Sequence, residues 1–225
     1  MSCCQTSWTI RPSQENDLAL VCQIFLQGFP QSVLHYVGES STGIEQALRD
    51  MFSALLEYQP QGFLVAEHQG RIGGYTIAVP HMPELWWFVL YHGHVWHWAK
   101  RWLRGEYGIG LVPVLGLARN KLGFALSQIQ LSRKTPKTKG HTAQILSIAV
   151  HPLCRGQGIG RALLEKAIAH LATTPATYVK LEVRPDNTPA RRLYESLGFQ
   201  AISKTRDSQG EWIVMLKELL QGPAD

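Results

Sequence analysis

The stretch from Gln144 to Gly160 constrains this chain more than any other. It reads QILSIAVHPLCRGQGIG and continues into the helical pattern RALLEKAIAHL. An apolar strand stops at Val150, a short turn carries Pro152, and glycines at alternate positions, Gly156, Gly158 and Gly160, lead into a helix. The first amides of a helix have no partner within it, and the helix dipole places partial positive charge there. Glycines let that backbone approach an anion closely, so a strand, a Gly-rich turn and a helix together form a phosphate site. Arg155 adds a formal positive charge at the rim. The bland alternative is a tight turn ahead of a packed helix. Two nucleotide readings fail. A Walker loop needs Lys then Ser or Thr after its last glycine, and Arg161-Ala162 follows Gly160; a dinucleotide turn starting at Gly156 would need a glycine at position 161.

In chain order, Trp8 to Arg11 reads as a first strand ended by Pro12. Glu15 to Phe29 has the helical stripe Leu18, Val21, Cys22, Phe25 and Leu26, stopped by Gly28 and Pro30. Phe29 to Val37 is an apolar loop or short helix. Ile44 to Tyr58 is a second helix, with Ala47, Leu48, Met51, Phe52 and Leu55 on one face. Strands follow at Phe63 to Glu67 and Ile72 to Val79 around the turn His68-Gln69-Gly70-Arg71. Beyond the glycine turn, Ile159, Leu163, Ala167 and Leu171 line one helical face, and Thr177 to Val183 is the next strand, so the crossover predicts parallel pairing. Thr188-Pro189 opens a short helix with Thr188 as its N-cap, Gly198 closes it, and Gln200 to Arg206 with Glu211 to Lys217 forms a hairpin.

Residues 81–140 interrupt this order. They hold five of the seven tryptophans and carry nine basic against two acidic residues, a charge of +7 in a chain of net +5, which leaves −2 for the rest. Leu85 to Leu103 reads as helical despite Gly93, Leu111 to Leu131 as a second helix, and Ser132 to Gly140 as a basic linker. The aromatic run is too short and polar to span a bilayer. Two readings stay open: a helical flap packed on the domain or on a second subunit, and an interfacial helix meeting a membrane surface. Nucleic-acid contact is the weaker reading. His92, His94 and His97 come without carboxylate or cysteine partners, so no metal is expected. The four cysteines show no zinc spacing and Met1 to Arg11 has no signal-peptide pattern, which predicts a reduced, cytoplasmic protein, peripheral to the membrane if the interfacial reading holds.

A second motif lies at Leu181 to Phe199, LEVRPDNTPARRLYESLGF. Together with Ile148-Ala149-Val150-His151-Pro152 and the turn Arg155-x-x-Gly158-x-Gly160, it resembles the GNAT family, the acetyl-CoA-dependent N-acetyltransferases. Within that family it is most similar to the ribosomal-protein N-terminal acetyltransferase group. The resemblance is strong from Gln144 to Phe199, weak before Val79 and absent from 81–140. It implies an α/β fold with a mixed central sheet of about six to seven strands flanked by helices, in one domain over 1–225 with 81–140 as a helical insertion between the third and fourth strands. It also implies acetyl-CoA as acyl donor, without a metal. The amides of Arg155, Gly156, Gln157, Gly158, Ile159 and Gly160 would hold the pyrophosphate. The backbone of Ile148, Ala149 and Val150 would pair with the pantetheine arm, and Asn187 would hydrogen-bond it. His151 lies beside the loop as an exposed turn residue.

Acetyl transfer to an amine needs a neutral amine, a polarised carbonyl and a protonated leaving thiolate. Lys180, Glu182 and Arg184 share one strand face, and charges on an inner strand suggest that this face looks into a cleft. A carboxylate there can take the amine proton, directly or through water, if its reference pKa of about 4.3 rises or a relay helps. Tyr194, with a reference pKa of about 10, can protonate a departing thiolate of about 8.5. The resemblance assigns Glu182 as general base and Tyr194 as general acid. Solvated salt bridging and core packing are their plain structural readings. The acceptor is a primary amine, on a small molecule or a peptide N-terminus. Its site would lie at Phe29 to Val37 and Arg206 to Trp212, which the insertion can reshape. Direct attack in a ternary complex, by a monomer or a homodimer, is the reaction expected. A sensor that binds acetyl-CoA without turnover and a docking module built on 81–140 are the alternatives.

Overall fold

The computed structural model describes residues 7–31, 43–108 and 141–219. Seven strands form one sheet: β1 (Thr9–Pro12), β2 (Phe63–His68), β3 (Arg71–Val79), β4 (His141–Val150), β5 (Ala176–Val183), β6 (Gln200–Asp207) and β7 (Gly210–Glu218). Their order across the sheet is β1-β2-β3-β4-β5-β7-β6. Every neighbouring pair is antiparallel except β4 and β5, the pair joined by the predicted crossover. The mixed seven-stranded sheet agrees with the sequence expectation, and so does the placing of helices between its third and fourth strands.

Helices cover both faces. On one lie α1 (Leu18–Gly28) and α2 (Ile44–Tyr58); on the other lies α5 (Ile159–Ala172). Between β3 and β4 come α3 (Met82–Tyr91) and α4 (His94–Leu103), and α6 (Thr188–Ser196) follows β5. The strands sort their apolar side chains by alternation, as a two-sided sheet requires. Val179, Leu181 and Val183 of β5 point to the α5 side with Leu163, Leu164 and Leu171. Tyr75 and Ile77 of β3 point to the other, with Leu18, Val21, Phe52 and Phe63. Gly74 allows α5 to lie close on β3, since a Cβ there would crowd Ile159 and Leu163 at 3.1 and 3.2 Å.

Three boundaries differ from the sequence reading. Glu15–Asp17 forms a 3-10 turn before α1, because the Asp17 carboxylate accepts the Gln14 amide at 2.8 Å and Arg11 at 2.7 Å. The predicted helix from Leu85 to Leu103 is two helices, broken where Gly93 takes a left-handed φ of 80°. The short helix α6 is capped by Asn187, whose side-chain oxygen accepts from the Ala190 amide at 3.3 Å, rather than by Thr188. The helix expected at Leu111 to Leu131, the linker at Ser132 to Gly140 and most of Phe29 to Val37 lie outside the described residues.

The α3–α4 pair is anchored on α2. Leu85 and Val89 are buried in the α1/α2 cluster and Trp98 packs against it. Arg101 donates to both Asp50 oxygens at 3.0 and 3.1 Å, and the Tyr107 hydroxyl donates to Asp50 at 2.6 Å. His94 approaches Glu57 at 3.3 Å, and the His92 ring bonds the Phe88 carbonyl, so the histidines of this segment serve different local contacts.

The Tyr75 hydroxyl is buried and bonds Ser147 Oγ at 2.8 Å. Ser147→Ala is expected to cost about 1–3 kcal/mol in urea unfolding, because it strands a buried hydroxyl, whereas the double change with Tyr75→Phe should recover much of that loss.

Candidate active site

The parallel pair at the sheet centre does not stay paired. The β4–β5 ladder runs only from His141 and Ala176 to Gln144 and Lys180. Beyond it, Ile145 to Val150 and Leu181 to Val183 are bonded to β3 and β7 on their outer edges but not to each other. The cause lies in β4. Ile77 of β3 faces Ser147 while Ala78 faces Ile145, so Leu146 is an extra residue, and a bulge of this kind bends its strand. The result is a wedge-shaped gap between two strands of one sheet. The inner edge of β4, with Ile148, Ala149 and Val150, meets this gap with backbone groups that an extended, amide-bearing ligand can pair with as an added strand.

The glycine turn stands at the end of that gap. Pro152–Cys154 form a 3-10 turn capped by His151, whose Nδ1 accepts the Leu153 amide at 3.3 Å; His151 therefore acts within the turn. Gly156 and Gly158 both take φ of 78°, and a Cβ on either would meet nothing within 4 Å. Their glycine identity thus answers to backbone conformation, with open space beside it; an L-residue there costs roughly 1–2 kcal/mol. Gly158 is the N-cap of α5 and supplies no side-chain cap, so the first amides of α5 keep their capacity to bind an anion. Arg155 Nε donates to the Val150 carbonyl at 3.4 Å, which ties the turn to the strand end. Trp8 Nε1 donates to Gln157 Oε1 at 2.9 Å, a contact between the start of the chain and the turn that the sequence did not reveal. Gly160 lies under α6, where a Cβ would come 3.5 Å from Leu193, and Arg161 bonds Ser196 at 2.6 Å.

Glu182 and Tyr194 lie on opposite sides of the sheet. Tyr194 is 7% exposed and packs with Leu181, Val183 and Phe199 on the α5 side. Glu182, between Leu181 and Val183 in β5, points to the other side, where its register partner is Val214. The expected shared face of Lys180 and Glu182 is present: Lys180 Nζ lies 3.7 Å from Glu182 Oε1, and both side chains are largely covered. Desolvation holds the Lys180 ammonium below its usual pKa, against the opposing pull of Glu182. Arg184 stacks over Trp212 at 5.0 Å and donates to the Gln209 carbonyl at 2.7 Å, closing the wall that β7 makes beside Glu182. Lys180 as the neighbour of Glu182 and Trp212 as its wall were legible only as alternation in two strands. Asn187 spends its side-chain oxygen on the α6 cap, which leaves its NH2 as the donor group. No group of three or more metal-ligating side chains occurs among the described residues.

The pattern described as the acetyltransferase (GNAT) family matches residues 32–199. The ribosomal protein bS18-alanine N-acetyltransferase of Salmonella typhimurium strain LT2 is 31% identical over 122 residues, spanning 54% of this chain and 76% of that protein. Mycothiol acetyltransferase of Corynebacterium kroppenstedtii is 37% identical over 94 residues, 42% of this chain but 24% of that protein. The crystal structure of the ribosomal-protein-S18-alanine N-acetyltransferase from Escherichia coli superposes with a TM-score of 0.52 at 20% identity, covering 97% of this chain and 99% of that one; this likeness speaks for the fold.

Burial disfavours the charged phenolate and pushes Tyr194 up to about 12. The folded chain therefore keeps this proton above the unfolded value of about 10, and the stability it contributes is present below pH 10 and lost as pH rises towards about 12. In an ultraviolet phenolate titration, Tyr194→Phe should remove one phenol from the late step; loss of a phenol titrating near 10 would contradict its burial.

Proposed function

Because the chain belongs to the GNAT acetyltransferase family, we propose that it transfers the acetyl group of acetyl-CoA to a primary α-amine by direct attack in a ternary complex. It is an acetyl-CoA-dependent N-acetyltransferase. The finer reading rests on one observation above all: β4 and β5 separate beyond Gln144 and Lys180, with Glu182 on one side of the sheet and Tyr194 on the other.

The chemistry follows from that division. In this reading the pantetheine arm lies along Ile148, Ala149 and Val150 as an added strand, with an amide of that edge polarising the thioester carbonyl. The NH2 of Asn187 reaches the same arm. The amides from Arg155 to Gly160 take the pyrophosphate at the α5 N-terminus. The amine enters from the α1/α2 side. Glu182 accepts its proton, directly or through water, as nitrogen bonds to the acetyl carbon. The carbon–sulfur bond then breaks and the thiolate takes its proton from Tyr194. A phenol held protonated up to about 12 carries its proton at physiological pH, but giving it to a thiolate of reference value about 8.5 runs uphill, so the transfer has to be concerted with cleavage of the carbon–sulfur bond, whose collapse supplies the driving force. Lys180 stands beside Glu182, with its Nζ 3.7 Å from Glu182 Oε1.

An α-amine suits this site better than a lysine. Its reference pKa near 8 leaves much of it neutral at physiological pH, while a lysine near 10.4 is almost wholly charged. The name of the Salmonella relative, which acts on the alanine of a ribosomal protein, supports a protein N-terminus as the acceptor class. The chain acts in this reading as one cytoplasmic domain over 1–225, with 81–140 as an insertion whose described helices, α3 and α4, pack on α2.

The test is release of CoA thiol with acetyl-CoA and a panel of amines: peptides with free N-termini, lysine peptides with blocked ones, polyamines and amino-sugars. Free N-terminal peptides should turn over, and Glu182→Gln and Tyr194→Phe should each lower kcat by roughly 10²–10⁴-fold. Binding of acetyl-CoA with no turnover of any amine would instead identify a sensor, seen as a raised melting temperature alone. Gly158→Ala should weaken acetyl-CoA binding while sparing the response of bound enzyme to the amine, because it disturbs the φ of 78° at the phosphate turn and nothing at the wedge.

A further inference from the structure

Among the described residues, exposed apolar surface is concentrated on one pair of helices. On α3, Trp86 and Leu90 stand one turn apart in solvent, and Trp87 stacks on Tyr91 with ring centroids at 5.5 Å. On α4, Val95 is exposed, Trp96 is 73% exposed and Leu103 is 77% exposed. The other exposed large apolar side chains among the described residues, Leu20, Leu153 and Ile202, are scattered singly, which is ordinary for a protein surface.

The opposite faces of the same helices account for their folding. Leu85, Val89 and Trp98 pack on the α1/α2 cluster, and Arg101 is turned in to Asp50 and Glu106. The outward aromatics therefore add nothing to the core. The charges beside them are one-sided on α4, while α3 carries one carboxylate, Glu84, which lies 3.0 Å from His81 Nδ1. Lys100 and Arg104 lie on the exposed face of α4 with Trp96 and Leu103, at the i, i+4, i+7 and i+8 positions of one stripe, and α4 holds no acidic residue. Arg104 reaches Glu106 only at 3.8 Å and is 59% exposed, so its charge remains available. Tryptophan and tyrosine rings flanked by lysine and arginine are the composition that settles at the boundary between lipid headgroups and acyl chains.

We infer that the outer face of α3 and α4 is a docking surface for an anionic lipid bilayer, with Trp86, Trp87 and Trp96 entering the headgroup boundary and Lys100 and Arg104 meeting lipid phosphates. No helix among the described residues is long and apolar enough to cross a membrane, so the contact is peripheral. The inference stands on surface chemistry and is independent of the acetyl-transfer reading.

The experiment uses the full chain and vesicles of phosphatidylcholine alone or with phosphatidylglycerol. Sedimentation should show at least roughly tenfold tighter binding to the anionic vesicles, falling as salt rises. Lipids brominated near the headgroup end of the acyl chain should quench tryptophan fluorescence. The pair Trp87→Ser with Trp96→Ser should cut quenching to what Trp86 alone gives, and Lys100→Glu with Arg104→Glu should abolish the preference for anionic lipid. All four positions are exposed, and an unchanged acetyl-CoA-induced rise in melting temperature confirms that the variants are folded. Equal binding to both vesicle types overturns the inference, as does an absence of quenching. A concentration-dependent dimer that the tryptophan changes dissolve would overturn it too, by assigning the face to a second copy of the chain.

Discussion

One extra residue in a central strand governs the rest of this site. Because Leu146 bulges out of β4, the strand turns away from β5 after a short parallel ladder. A sheet that stayed closed would consume the inner edge of β4 in its own hydrogen bonds. The open edge instead faces a gap between two strands that the remaining ladders hold firmly from outside. The bulge is itself pinned, since the residue after it, Ser147, bonds the buried Tyr75 hydroxyl from the neighbouring strand. The position of α5 follows from the same geometry. Its first residue, Ile159, is buried against β3, so the glycine turn has to stand where β4 ends.

A gap through a sheet has two mouths, and the packing makes them different. The α5 side is apolar and closed by α6, which raises the cost of ionising Tyr194. The other side carries Lys180 and Glu182 of β5 and, just past its end, Arg184, beside Trp212 of β7. Two groups that must hold and lose protons at different times are thus given different surroundings by the period-two alternation of strands and by which helix lies on which face.

Much of this was legible in the residues. Ile44 to Tyr58 emerged with the bounds its apolar stripe implied, because amphipathic spacing and tertiary burial agreed there. The parallel crossover, the glycine turn and the final hairpin were equally plain. The bulge was not, since ILSIAV is apolar on both faces of a central strand and gives alternation no polar residue to register against except Ser147. Asn187 and Thr188 are both good caps, and only backbone geometry decides between them. Gly93 was read through because the aromatic run on either side masked the break. The alternation placed Lys180 beside Glu182 in direction; their separation of 3.7 Å needed the structure.

The pairing of β3 with β4 carries a further consequence for how the chain folds. These antiparallel neighbours are the kind of strands a tight hairpin usually joins, yet residues 80–140 lie between them. Closing a loop of that length rather than one of a few residues costs about 2–3 kcal/mol of chain entropy, by the logarithmic law for flexible loops. It also converts a local contact into a remote one, which slows folding. The contacts of Leu85, Val89 and Tyr107 with the α2 region tie part of that span to the domain itself, so the stretch of chain still to be closed when Val79 pairs with Gln144 is shorter than the sequence separation.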